Sequence, residues 1–282
     1  MKQNGDIMRN KKTEFQSLGT RLIVAAVWIA ICLVVLLVLP VWATGILETI
    51  ACFFMAKELV CNTGLVKNKL IQALCIIQAI LIPWFIYFNA DVYAFIATMF
   101  VFVFILFFAE IASKQKIGTN GIFAAFFGAY VFPILISLLV PILNLDKGRN
   151  LVLIPFISAW CSDAGAYFIG SKFGKHKLAP SISPKKSIEG AFGGVAGGIL
   201  GMLIYGIILH FCKTDVPWLI FVFMGVLGSV FGLLGDLFLS YIKRDCKIKD
   251  FGNFLPGHGG VLDRFDSVLF VVPVCYYLFL IV

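Results

Sequence analysis

Four aspartates in strongly apolar surroundings are the residues best suited to chemistry. Asp163 and Asp236 lie within long apolar runs, and Asp263 and Asp266 open the last such run. A charged carboxylate inside a membrane span costs about 2.5 to 3.5 kcal/mol on insertion scales, so each one needs a partner or a function. Clustered carboxylates without an equal number of buried bases are typical of sites for a hard cation such as Mg²⁺.

These four aspartates are predicted to meet at one depth. Asp163 and Asp236 both precede the same end of their apolar runs by less than two helical turns, and Asp263 and Asp266 share one helix face because they are three residues apart. We therefore predict that Asp163, Asp236, Asp263 and Asp266 bind one or two divalent ions, with a monovalent ion as a further option. Asp236 and Asp263 are the strongest candidates and are also assigned to catalysis.

Basic residues surround the predicted metal site. The two loops that flank it and the start of the last apolar run carry Lys172, Lys175, Lys177, Lys185, Lys186, Lys243, Arg244, Lys247, Lys249 and Arg264. Carboxylates with a collar of lysine and arginine suit a metal-bound polyphosphate, whose oxygens need both kinds of neutralisation. For any single lysine, the alternative is that it only fixes the membrane topology. Gly259 and Gly260 would let backbone N–H groups approach a phosphate.

The elements that must position these residues are membrane helices. The chain has 282 residues, of which 61% are hydrophobic and 13% charged, with a mean hydropathy of +0.99. Its apolar runs have the length of about 20 residues that crosses a bilayer as a helix. We predict an all-α polytopic transmembrane bundle of about nine spans, at 21–39, 42–60, 70–88, 92–112, 120–143, 151–170, 190–211, 217–241 and 262–282.

The basic residues also predict the orientation. Eighteen of them fall on one side of the predicted spans and only Lys147, Arg149 and Lys213 on the other. The positive-inside rule then places the N-terminus and the loops 171–189 and 242–261 in the cytoplasm, with the active site facing it. Because the basic residues are dispersed between apolar runs, we expect a lipid bilayer as partner and no nucleic acid.

Two of the predicted spans carry glycines at spacings of three or four residues, with four-residue spacing throughout the seventh. In the seventh span these are Gly190, Gly194 and Gly198, and Gly193, Gly197 and Gly201; in the eighth, Gly225, Gly228, Gly232 and Gly235. Such faces allow close helix packing in lipid. We predict a hydrophobic domain at 1–150 and a catalytic transmembrane domain at 151–282.

The region 240–267, called here the signature segment, resembles a known family. It contains Ser240, Lys243-Arg244, Lys249-Asp250, Gly252, Pro256-Gly-His258-Gly259-Gly260 and Asp263-Arg264-Phe-Asp266-Ser267. Upstream, Ser162-Asp163 with Gly165 and Gly170, and Ser183-Pro-Lys185-Lys186-Ser187, match as well. Together they resemble the phosphatidate cytidylyltransferases, and the specific resemblance covers about 160–267.

The resemblance implies transfer of a cytidylyl group from CTP to phosphatidate, giving CDP-diacylglycerol and pyrophosphate. It implies Asp236, Asp263, Lys249 and His258 as catalytic residues, with His258 protonating or hydrogen-bonding the leaving pyrophosphate. The substrate-binding residues that it implies are Lys175, Ser183, Lys185, Lys186, Ser240, Lys243, Arg244, Asp250, Gly259, Gly260 and Arg264. A homodimer and a bacterial cytoplasmic-membrane location are expected from the family and the chain's short tail.

Two alternative functions remain open, one a different enzyme and the other a transporter. A CTP-dependent lipid kinase acting on a polyprenol or phytol would handle a metal-bound triphosphate in the same way. A secondary transporter would also use acidic residues within spans, but transporter sites lie near the bilayer midplane. The inward bias of all four aspartates favours the enzyme.

Overall fold

The computed structural model of the protein describes residues 26–112, 118–254 and 259–281. The predicted cytoplasmic N-terminus therefore lies outside the described residues, and so does His258. Within the described ranges the chain is almost entirely helical, as the apolar runs predict.

The first half is a compact group of helices. The helices are α1 (Ala26–Leu37), α2 (Val41–Lys57), α3 (Lys69–Tyr87), α4 (Val92–Ala112), α5 (Gly118–Phe126), α6 (Phe132–Ser137), α7 (Leu139–Leu143) and α8 (Gly148–Leu151). Short π-helical turns at Glu58–Asn62 and Phe127–Val131 continue α2 and α5. The buried side chains of Met55, Leu59, Tyr130 and Phe132 form the centre of this half.

The second half carries three long helices and a small hairpin. Its elements are α9 (Ile154–Phe173), β1 (Lys177–Ala179), β2 (Ser183–Ser187), α10 (Ile188–Phe211), α11 (Trp218–Asp245), α12 (Leu262–Phe265) and α13 (Val268–Ile281). The two strands pair antiparallel. The Ser187 side chain accepts a hydrogen bond from the Gly190 N–H and so caps the start of α10.

Six helical stretches among the described residues are long and apolar enough to cross a membrane. They are Lys69–Tyr87, Val92–Ala112, Gly118–Leu143, Gly148–Phe173, Ile188–Phe211 and Trp218–Asp245. The helices Ala26–Leu37 and Val268–Ile281 are apolar but shorter. A helical membrane protein is thus confirmed in outline, while the count of nine spans and the orientation stay predictions.

Two details of the sequence prediction were wrong. Residues 177–187 are not a plain loop but form the β1–β2 hairpin, so the fold is not strictly all-α. In addition, α11 continues to Asp245, so that Lys243 and Arg244 lie on its last turn rather than in the loop 242–261. The reason is that leucine, lysine and arginine all favour helix, and the basic side chains also suit a helix C-terminus.

Glycines bring α9, α10 and α11 into backbone contact. A Cβ added at Gly165 of α9 would lie 2.9 Å from the Gly197 Cα of α10 and would also overlap the Gly193 carbonyl. A Cβ at Gly225 of α11 would lie 2.7 Å from the Ile199 Cα. The four-residue glycine spacing of the sequence therefore marks a real packing face, and this face fixes the walls of the site.

Candidate active site

A cavity of about 890 Å³ opens between α9, α10, α11 and the β1–β2 hairpin. Its polar lining, called here the polar end, consists chiefly of Asp163, Asp236, Ser183, Lys185 and Lys186. Its other walls include the apolar side chains of Ala191, Phe192, Val195, Val230, Leu233 and Leu234. Five of the residues predicted for metal or substrate binding thus share one cavity, although they come from three separate elements.

Asp236 stands at the polar end of this cavity between two partners. The Lys186 Nζ lies 2.6 Å from one carboxylate oxygen, and the Ser240 hydroxyl donates to the other at 3.1 Å. About a quarter of both charged side chains remains exposed, at 26% for Asp236 and 20% for Lys186. This ion pair therefore stays accessible to a ligand that enters the cavity.

Asp163 and Asp266 meet across helices through one hydroxyl. The Ser267 Oγ lies 2.9 Å from an Asp163 oxygen and 3.3 Å from an Asp266 oxygen. We call Asp163, Asp236, Asp266 and Lys186 the cavity cluster. Asp163, Asp236 and Lys186 line the cavity, and Asp266 is joined to Asp163 through the Ser267 hydroxyl.

Asp263 lies in a different setting. The Lys243 Nζ donates to one of its oxygens at 2.9 Å, and the backbone N–H groups of Phe251 and Gly260 donate to the other at 2.8 and 3.0 Å. Its side chain is only 4% exposed, and that of Lys243 is 11% exposed. Both oxygens are therefore engaged in holding the signature segment together.

Asp263 and Asp266 accordingly do not act as one pair on a helix face. The helix α12 ends at Phe265, so Asp266 follows a break and turns towards Ser267 and α9. Of the four carboxylates expected to meet, Asp163 and Asp266 share the Ser267 hydroxyl, and Asp163 and Asp236 line one cavity. Asp263 is joined to the group through Lys243, whose charge also acts on Asp266.

The donor chemistry of the cavity cluster fits a hard cation. All of its acidic ligand atoms are carboxylate oxygens, which Mg²⁺ prefers. Among the described residues, however, no three His, Cys, Asp or Glu side chains are gathered closely enough to hold an ion. The oxygens are directed instead at Lys186, Ser240 and Ser267.

Other predicted residues lie around the cavity rather than in it. Arg244 is exposed, and its Nε donates to the Ile182 carbonyl at the hairpin at 3.3 Å. Lys175, Lys249, Asp250 and Arg264 are also exposed. Gly259 has a φ of 85°, a left-handed conformation that glycine adopts without strain. None of these residues is part of the cavity lining.

Glu58 is the residue that the sequence pattern did not reveal. Its place at a span end beside Lys57 favours simple pairing with that lysine over a side chain that faces the cavity. Instead it is 3% exposed and accepts hydrogen bonds from the N–H groups of Val261 and Leu262 at 2.9 and 2.8 Å. Its position beside Lys57 gave no hint of this contact, because the partners are 203 and 204 residues away.

Comparison with known proteins identifies the family of this chain. The model of the cytidylyltransferase family matches residues 19–282. The chain belongs to this family. It is 43% identical over 140 residues to a phosphatidate cytidylyltransferase of Bacillus subtilis (strain 168), a match that covers 49% of this chain and 51% of the relative.

Further relatives of this cytidylyltransferase-family chain have the same name. The phosphatidate cytidylyltransferase of Staphylococcus epidermidis (strain ATCC 12228 / FDA PCI 1200) is 47% identical over 128 residues, and that of Staphylococcus aureus (strain COL) is 44% identical over 128 residues. Each match covers 45% of this chain and 48% of the relative. The chain thus spans about half the length of the curated relatives it matches.

Proposed function

We propose that the protein transfers the cytidylyl group of CTP to phosphatidate, forming CDP-diacylglycerol and pyrophosphate. The observation that carries this proposal is one cavity lined both by carboxylates and lysines and by apolar side chains. Family membership and the names of the relatives support it further.

The two surfaces of the cavity suit a phospholipid. Phosphatidate has a phosphate headgroup of charge about −1.5 to −2 near neutral pH, taking a phosphate monoester as reference. Lys185 and Lys186 at the polar end would neutralise it, while the apolar walls of α10 and α11 suit acyl chains. A soluble phosphate compound would gain nothing from those apolar walls.

The chemistry needs charge neutralisation more than a base. A phosphate oxygen of phosphatidate attacks the α-phosphorus of CTP, and the bond from that phosphorus to the bridging oxygen of the β-phosphate breaks. Pyrophosphate leaves with the electron pair. Since the attacking oxygen is already anionic, the residues must mainly bring two anions together and orient them.

The carboxylates of the cavity cluster would hold the metal. We propose Asp163, Asp236 and Asp266 as ligands, with Asp263 as a further predicted one. When bound, Mg²⁺ would neutralise triphosphate oxygens. Binding would require Lys186 to exchange Asp236 for a substrate phosphate, a step that its partial exposure allows.

The remaining roles proposed for individual residues follow from the family resemblance. We propose that Lys243, Lys249, Arg244 and Arg264 stabilise phosphate oxygens, and that His258 acts on the leaving pyrophosphate. Lys175, Ser183, Ser240, Asp250, Gly259 and Gly260 complete the proposed binding residues. A homodimer in a bacterial cytoplasmic membrane, with the cavity open to the cytoplasm, remains a prediction from the sequence.

A labelling assay tests this function. Purified protein in phospholipid micelles receives phosphatidate, Mg²⁺ and CTP labelled either in the α-phosphate or in the γ-phosphate. We expect label in the lipid only from the α-position, with one pyrophosphate released per lipid. Lipid labelled from the γ-phosphate, with phytol or a polyprenol as acceptor, would mean a kinase. No labelled lipid under varied metals and acceptors would refute both enzymes.

A further inference from the structure

Three side chains from the first half of the chain contact the signature segment. Phe54, Glu58 and Asn62 are spaced four residues apart at the end of α2 and in the π-helical turn that follows. Phe54 packs on Phe254 with 3.8 Å between ring centroids, and the Asn62 Nδ2 donates to the Phe251 carbonyl at 2.8 Å. We call Phe54, Glu58 and Asn62 the docking strip.

Glu58 is the centre of this strip. Its two carboxylate oxygens accept from the consecutive N–H groups of Val261 and Leu262, at 2.9 and 2.8 Å. The preceding N–H, of Gly260, donates to Asp263. Three consecutive backbone donors are therefore held by two carboxylates, one from each half of the chain, directly before the acidic residues of the site.

The signature segment has no space for a side chain at two glycines beside Glu58. A Cβ on Gly252 would lie 2.6 Å from the Glu58 Oε1, and a Cβ on Gly260 would lie at the same distance of 2.6 Å from it. Neither glycine has a left-handed φ, so the space taken by the carboxylate accounts for glycine at both positions. Two separate parts of the signature segment thus close on one buried side chain.

We propose that Glu58 is a positioning residue for the reaction, acting from the first half of the chain by fixing the backbone of residues 259–262 and thereby the directions of Asp263 and Asp266. This inference rests on the proposed function for its kinetic consequence, but its structural part does not. Unpaired N–H groups at Val261 and Leu262 would let the segment move, and a displacement of about 1 Å can reduce a rate on the order of 100-fold.

Glu58→Ala and Glu58→Gln test the role kinetically. For Glu58→Ala we expect kcat to fall on the order of 100-fold, with a smaller change in the KM for CTP, because the cavity itself is intact. Glu58→Gln keeps one acceptor oxygen and should recover about 10-fold of that loss. Glu110→Gln is the matched control, since that carboxylate accepts the Gly118 N–H at 3.1 Å within its own part of the chain. It should keep parental kcat.

A double-mutant cycle separates positioning from general damage. Gly260→Ala alone should lower kcat because its methyl group would overlap the Glu58 carboxylate. In the Glu58→Ala background the methyl has space, so the double variant should be no worse than Glu58→Ala. Effects that multiply would overturn the proposal, because coupling between contacting residues is what the cycle measures.

Hydrogen exchange supplies a readout that does not depend on activity. In Glu58→Ala the N–H groups of Val261 and Leu262 should exchange faster, while that of Gly260, held by Asp263, changes least. Unchanged exchange in folded protein would refute the positioning role. If the parent protein makes no CDP-diacylglycerol but exchange still responds, the proposed function fails and the clamp on this segment stands.

Discussion

The protein contains two neighbouring sets of carboxylate side chains, and the two sets have opposite roles. In the cavity cluster, Asp236 is a quarter exposed and pairs with the partly exposed Lys186. Around the signature segment, Glu58 and Asp263 are buried and accept two backbone N–H groups each. Carboxylates with spare capacity can bind a ligand, whereas fully hydrogen-bonded ones fix the chain. The comparison teaches that the partner atoms, and not the residue type, decide the role.

The largest expected effect is that of changing Asp236, the accessible carboxylate. Asp236→Asn should reduce kcat roughly 1000-fold, because a metal ligand would be lost. Its melting temperature should stay near that of the parent, since the side chain is partly exposed. The α-labelled CTP assay measures the rate, and a chelator should abolish parental activity until Mg²⁺ is restored. Asp215→Asn, between α10 and α11, is the control and should be fully active.

The second prediction concerns Asp263, one of the buried carboxylates. Asp263→Asn would leave the Lys243 ammonium without its partner, which costs on the order of 3 to 5 kcal/mol for a buried pair. We expect both a lower melting temperature and lower activity, in contrast to Asp236→Asn. Should Asp263→Asn be inactive yet as stable as the parent, the two groups would not differ as described, and Asp263 would act chiefly as a metal ligand.

The third prediction tests the scaffold that holds the cavity cluster. Gly165→Ala would push α10 away from α9, because its Cβ would overlap the backbone at Gly193 and Gly197. Overpacking of this kind costs about 1 to 3 kcal/mol, and activity should fall as Asp163 shifts with its helix. Gly45→Ala is the matched control, since its Cβ would meet only the Trp84 ring at 3.9 Å. Equal melting temperatures for both variants would contradict the close-packing assignment.

The smallest effect is expected at the hairpin. Arg244→Ala removes a hydrogen bond of 3.3 Å from an exposed side chain to the Ile182 carbonyl. Exposed contacts of this kind contribute little, so the KM for CTP should rise only about 2-fold to 5-fold at unchanged kcat. Lys213→Ala, an exposed residue in the turn after α10, serves for comparison and should leave both constants unchanged. A large fall in kcat for Arg244→Ala would contradict this prediction and would mean that Arg244, like Asp236, takes part in the reaction.

The sequence predicts much of the architecture because lipid imposes simple rules. Every apolar run long enough to span a membrane contains helix, and the glycine spacing in α10 predicts its contact with α9. Asp163, Asp236, Lys185 and Lys186 were selected from the sequence and line one cavity. The hairpin at 177–187 was missed because short polar strands carry no strong pattern beside apolar helices.

The sequence did not show which partner each acidic residue contacts, and therefore not which role it has. Asp263 and Asp266 are three residues apart, yet the break after α12 directs them to different partners. Glu58 looked like an ordinary residue at the end of a span, next to a lysine of opposite charge. Its true partners are backbone N–H groups, which have no sequence signature of their own.

The sequence by itself determined the helical membrane class and the family, and it predicted a set of residues for metal and phosphate binding, because hydropathy and motif spacing are local properties of a chain. Only the tertiary structure decided which carboxylates stay accessible and which are consumed in holding the backbone. That choice depends on how α2, the π-helical turn and the signature segment pack together. Contacts between residues some 200 positions apart arise only when the whole chain has folded.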